Sequence, residues 1–136
     1  MVDVSQRQGR ALEALCRDSG IRLMVAFGSQ VKGNSHGGSD LDIGILLERA
    51  NDLGLDLLAR IAEVFPDQRV DVALLNRADP LLLKEVSESS VLLAGSEQRL
   101  QELRIYAFKR YADYRPYFQL EALTNKRHLE GLSNGS

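Results

Sequence analysis

Hydrophobic and polar positions alternate along this chain with two different periods, and the changes of period mark its elements. Between Val4 and Asp18, Ala11, Leu12, Leu15 and Cys16 recur at helical spacing, and Gly20 is placed to stop the helix. Ile21 to Phe27 is a short apolar run, which predicts a buried strand. Gly28 to Gly38 is rich in Gly, Ser and Asn and reads as a loop whose first residues open a short helix. Asp40 to Leu47 then alternates, with Leu41, Ile43 and Ile45 on one face and Asp40, Asp42 and Gly44 on the other, as a half-buried strand does.

A second helical stripe follows between Asn51 and Phe65, carried by Leu53, Leu57, Leu58, Ile61 and Val64 and stopped by Pro66 and Asp67. Arg69 to Leu75 predicts a third strand. Asp79-Pro80 supplies an N-cap and a proline at the first helical position for a helix reaching about Ser87, and Val91 to Ala94 a short edge strand. From Glu97 onward the chain reads as helix, with Pro116 expected to kink or break it, because proline removes a backbone donor and crowds the preceding turn. The order of elements predicts an α/β (α+β) fold: a small mixed sheet with helices packed mainly on one face. One domain is expected over 1–136, with a core over about 1–95 and a helical segment over about 96–130 as a candidate partner surface.

Charge narrows the function. Lys and Arg number 17 against 19 Asp and Glu, a net charge of −2, which argues against bulk electrostatic binding of nucleic acid. The single cysteine, Cys16, permits no internal disulfide and rules out a cysteine-rich zinc site. No apolar run is long enough to span a bilayer, and no signal-peptide pattern opens the chain, so a cytoplasmic location without membrane attachment is expected.

The chemistry concentrates in "AFGSQVKGNSHGGSDLDIGIL". Asp40 and Asp42, two apart on a strand, put both carboxylates on one face with Cα atoms ~6.5 Å apart. No Lys or Arg stands between them in sequence, so a bound cation would relieve their repulsion. Asp71 adds a third carboxylate if the third strand pairs beside the second. Carboxylates without His or Cys select hard ions, magnesium or manganese, and three acids can share two ions in the arrangement used for in-line displacement at phosphorus. Gly28-Ser29, directly after the buried strand, forms a candidate phosphate seat: glycine lets the backbone approach closely, and a helix starting there would aim free N–H groups at an anion. Neither the Walker A pattern nor GxGxxG is present. Each feature alone also reads as an ordinary solvated turn or flexible loop; it is their combination that points to a site.

The pattern Gly28-Ser29, Gly33, Ser39-Asp40-Leu41-Asp42 and a later strand Asp71 resembles that of the DNA polymerase β-like nucleotidyltransferases. The short chain, with "VDVALLNRADPLLLKEV" and "YADYRPYF", is more closely similar to the minimal nucleotidyltransferases, in particular the MntA-like antitoxins encoded beside HEPN-domain toxins. The resemblance implies a palm-like nucleotidyltransferase fold, with Asp40, Asp42 and Asp71 as catalytic magnesium ligands. Gly28, Ser29, Lys32 and Ser39 would lie on the nucleotide side, and ATP would be the substrate. It further implies transfer of AMP to a tyrosine hydroxyl of a HEPN ribonuclease toxin, which silences it in a hetero-oligomer. Relatives often carry Arg where this chain has Gln30 and Lys32, which bears on triphosphate affinity. Two other readings stay open: a binding-only antitoxin with a weakened nucleotide site, and nucleotidylation of a small molecule of the aminoglycoside type. The C-terminal segment holds all four tyrosines, Tyr106, Tyr111, Tyr114 and Tyr117, interleaved with Lys109, Arg110 and Arg115, either as a docking surface or as a packing helix with wet tyrosine tips.

Overall fold

The computed structural model describes residues 4–28, 40–49 and 53–134. Helix α1, Gln6–Ser19, opens on a capping box: Ser5 Oγ accepts from the Gln8 N–H while Gln8 Oε1 accepts from the Ser5 N–H. It closes on Gly20 in the left-handed conformation. Strand β1, Ile21–Phe27, pairs antiparallel with β2, Leu41–Leu47. Helix α2, Leu55–Val64, carries the chain over to β3, Val70–Leu74, which pairs parallel with β2. Parallel neighbours need such a crossover, and the α2 stripe provides its buried face. A 3₁₀ turn, Leu75–Arg77, leads into α3, Pro80–Glu88, whose N-cap is Asp79 with Pro80 behind it. Strand β4, Val91–Gly95, pairs antiparallel with β1, giving the strand order β3-β2-β1-β4.

The mixed sheet is the one the pattern implies, but the helices cover both faces instead of mainly one. Met24, Ala26, Leu41, Ile43 and Ile45 pack with Leu12 and Cys16 of α1 and Ile61 of α2. On the opposite face Leu23, Val25 and Phe27 pack with Val86 of α3 and with Leu100 and Leu103 of the last helix, α4, Glu97–Asn134. The apolar run Leu23 to Phe27 of β1 follows directly: a strand segment covered on both sides has no polar face.

Pro116 does not break α4, which runs through it as one helix. Pro116 and Ala112, whose carbonyl loses its helical donor, are both exposed, so water can take the donor's place. Cys16 is buried in the first core cluster, where burial, and to a lesser degree Glu13, push its thiol up to about 11. Asn76 serves the sheet as a stand-in for a strand residue. Its Nδ2 donates to the Leu47 carbonyl at 3.0 Å, and its Oδ1 accepts from the Leu47 N–H at 2.8 Å, closing the end of β2.

Candidate active site

The acids lie at one end of the sheet. In the parallel pairing of β2 with β3, Asp42 and Asp71 are in register, and Phe27 of β1 is the partner of Asp42 on its other side. Alternation therefore puts Asp42 and Asp71 side by side on the face covered by α3 and α4, with Asp40 just before β2 on the same face. Gly28 follows Phe27 with φ +85°, where an L side chain is strained, and a Cβ there would strike the Asp42 carboxylate. The positive φ calls for glycine, and the missing Cβ lets the Asp42 carboxylate lie close against the turn.

Burial raises the Asp42 carboxyl above its ordinary value, and the negative charges of Asp71, Glu85 and Asp40 raise it further. Two contributors to this field escape sequence reasoning. Glu85 sits in α3, far along the chain. Arg69 Nε lies 3.7 Å from Asp71 Oδ1 and 4.0 Å from Asp40 Oδ1, so a cation does stand against the acids, supplied by the neighbouring strand. The signal for Arg69 was its spacing two residues before Asp71, which puts both on one face once the strands are paired. These ion pairs are exposed and loose, which limits how much charge Arg69 cancels.

Ser29, Lys32 and Ser39, expected on the nucleotide side, lie outside the described residues, as do Gln30 and Gly33. Among the described residues no group of three His, Cys, Asp or Glu side chains forms a ready-made metal cage. The donor set nevertheless suits a hard divalent ion. It consists of carboxylate oxygen alone, its charge is concentrated enough to raise Asp42, and magnesium keeps several waters and fills positions with substrate phosphate. A groove of about 710 Å3 runs between α1 and α2 on the opposite face, and none of the three acids lines it.

Comparison with known proteins places this geometry. The description "Polymerase beta, Nucleotidyltransferase" belongs to the family model that matches residues 11–99. No curated protein matches the chain at a significant level. Among solved structures, the chain is similar to one from a toxin–antitoxin complex with AMP-PNP: 25% identity, TM-score 0.69, covering 88% of this chain and 98% of that one. It shares its fold with the MntA–HepT toxin–antitoxin (22% identity, TM-score 0.66, covering 91% and 99%). It does so too with a complex of the tri-AMPylated Shewanella oneidensis HEPN toxin and MNT antitoxin (22% identity, TM-score 0.65, covering 90% and 98%). The in-register aspartates beside a glycine turn, and a match spanning well over half of the chain, show that this protein belongs to the polymerase β nucleotidyltransferase family.

Proposed function

We propose that this chain is an antitoxin that transfers AMP from ATP to a tyrosine hydroxyl of a cognate HEPN-domain toxin. The observation that carries the proposal is the pairing of Asp42 with Asp71 directly beside the side-chain-free Gly28. Support for the nucleotide comes from the family and from the similar toxin–antitoxin chain bound to AMP-PNP. Support for the acceptor comes from the fold shared with an antitoxin whose HEPN partner is AMPylated.

In this proposal Asp40, Asp42 and Asp71 hold magnesium, which supplies charge neutralisation at the triphosphate when bound. Gly28 and Ser29, with Lys32 and Ser39, hold the phosphates, Gly28 by leaving the backbone open to close approach. Asp71, at the strand edge, orients the acceptor hydroxyl and takes its proton. The hydroxyl oxygen bonds to the α-phosphorus as the bond to the β-phosphate oxygen breaks, and pyrophosphate leaves. Arg69, which faces Asp40 and Asp71, would stay beside the site as a positive charge. Residues 1–95 or so supply this chemistry, and the C-terminal helical segment supplies the partner contact.

The test is the intact mass of the toxin after co-expression with this chain. Toxin heavier by one or more adenylyl groups is the expected result. Unmodified but inhibited toxin would replace transfer with docking alone, and modification of a small hydroxyl compound with no effect on the toxin would move the activity to small molecules.

A further inference from the structure

Helix α4 has 38 residues, about 57 Å at 1.5 Å per residue, far longer than the sheet it covers. Its course can be followed by its anchors. Arg99 Nη1 donates to the carbonyl of Arg22, at the end of β1 remote from the acids. Arg104 Nη2 donates to the carbonyl of Ser90 at 2.7 Å, and the next residue, Val91, pairs with Ala26, two positions before Gly28. Lys84 of α3 then lies over the Tyr111 ring at 5.2 Å. The helix therefore climbs toward the catalytic end, and α3, running the same way beside it, stops at Glu88. More than half of α4 lies beyond Tyr111, and it leaves the domain at the end of the sheet that holds Gly28, Asp42 and Asp71.

Every side chain from Ala112 to Tyr117 is exposed, as are Leu120 and Leu123. Tyr114, Tyr117, Leu120 and Leu123 follow one another at intervals of three, which aligns them as a single ridge on the helix surface. Tyr117 is 64% exposed, Leu120 62% and Leu123 55%, values that leave large apolar surface in water. The Tyr114 and Tyr117 rings stand 6.0 Å apart, so the lower ridge is continuous, and the Arg110 guanidinium lies over Tyr114 at 4.9 Å. Along the same stretch Lys109, Arg110 and Arg115 outnumber Asp113 and Glu121, in a chain whose net charge is −2.

An i±3 ridge packs into the groove of another helix, and a basic rim favours an acidic one. We infer that the ridge Tyr114–Tyr117–Leu120–Leu123 is the docking surface for the protein acceptor, a helical face of the HEPN-domain partner with an apolar groove and an acidic rim. Docking there sets the acceptor beside the acids, so that binding and presentation of the hydroxyl are one event. The inference rests on the proposed function for the identity of the occupant.

The experiment uses the full chain, its Leu120→Glu/Leu123→Glu variant and the cognate HEPN-domain protein. Both substitutions fall on exposed positions, and an unchanged circular-dichroism melt of the helix and domain verifies folding. The dissociation constant for the HEPN protein should rise by about tenfold or more. At low toxin concentration AMP transfer should fall by the same factor, saturating toxin should restore kcat, and ATP affinity in the presence of magnesium should not change. Unchanged toxin affinity would overturn the inference. A wild-type dimer that the variant dissociates, with toxin binding intact, would assign the ridge to a second copy, and RNA binding lost in the variant with toxin binding intact would assign it to nucleic acid; either result overturns the inference. A wild-type chain that binds toxin through the ridge but transfers no AMP would leave the ridge standing and remove the proposed function instead.

Discussion

At the scale of single residues, Asp42 carries a conflict between function and stability. Its carboxyl is raised above 3.8 by burial and by Asp71, Glu85 and Asp40. The folded state thus holds its proton at pH values where the unfolded chain has released it. Stability falls as pH rises through that window, and above it the charged form remains a standing cost. Asp42→Asn should therefore raise the melting temperature of the metal-free protein at neutral pH, with the gain shrinking below the ordinary carboxylate range. Magnesium should stabilise the wild type and leave the variant unaffected. Thermal melts at acidic and neutral pH, with and without magnesium, check this; a variant less stable than wild type at neutral pH would show that Asp42 is a structural ion-pair partner. Gly28 and the alternation of Asp40 with Asp42 were legible in the sequence, because close approach and a period of two are local properties. Arg69 and Glu85 were not, because their nearness to the acids depends on which strand pairs with β2 and where α3 lies.

At the scale of elements, sequence reasoning succeeded where a boundary has its own chemistry. Asp79-Pro80 opens α3 with the Asp79 carboxylate accepting from the Leu82 N–H at 2.8 Å, and Gly20 closes α1 with φ +67°. It failed where neighbours decide the outcome. Arg69 to Leu75 was expected as one strand, but β3 is Val70–Leu74 and the chain turns at Leu75–Arg77. That turn lets Asn76 reach across to β2. Asn76→Ala should strip both backbone groups of Leu47 of their partners and cost about 1–3 kcal/mol, measured by urea denaturation. A change near zero would mean that water replaces the amide without loss. Pro116 is the clearest override: α4 continues through it, and the Ala112 carbonyl that loses its donor is exposed to water.

At the scale of the molecule, sheet order explains why three dispersed aspartates matter. Parallel pairing of β2 with β3 sets Asp71 against Asp42, and antiparallel pairing of β1 brings the Gly28 turn to the same end. Neither relation is visible in any one segment. Helices cover both faces of the sheet, and α4 rises beside that end. No helix among the described residues is long and apolar enough to cross a membrane, so the length of α4 is not a membrane span. The central claim is that the paired aspartates carry nucleotidyl transfer. Its most direct measurement follows label from ATP marked at the α-phosphate onto the HEPN-domain toxin, using wild type, Asp42→Asn and Asp71→Asn. Transfer should be magnesium-dependent in the wild type and fall by ~10²–10⁴-fold in Asp71→Asn and by at least ~10²-fold in Asp42→Asn, with toxin binding retained in both. Label reaching the toxin at the full rate in either folded variant would contradict it.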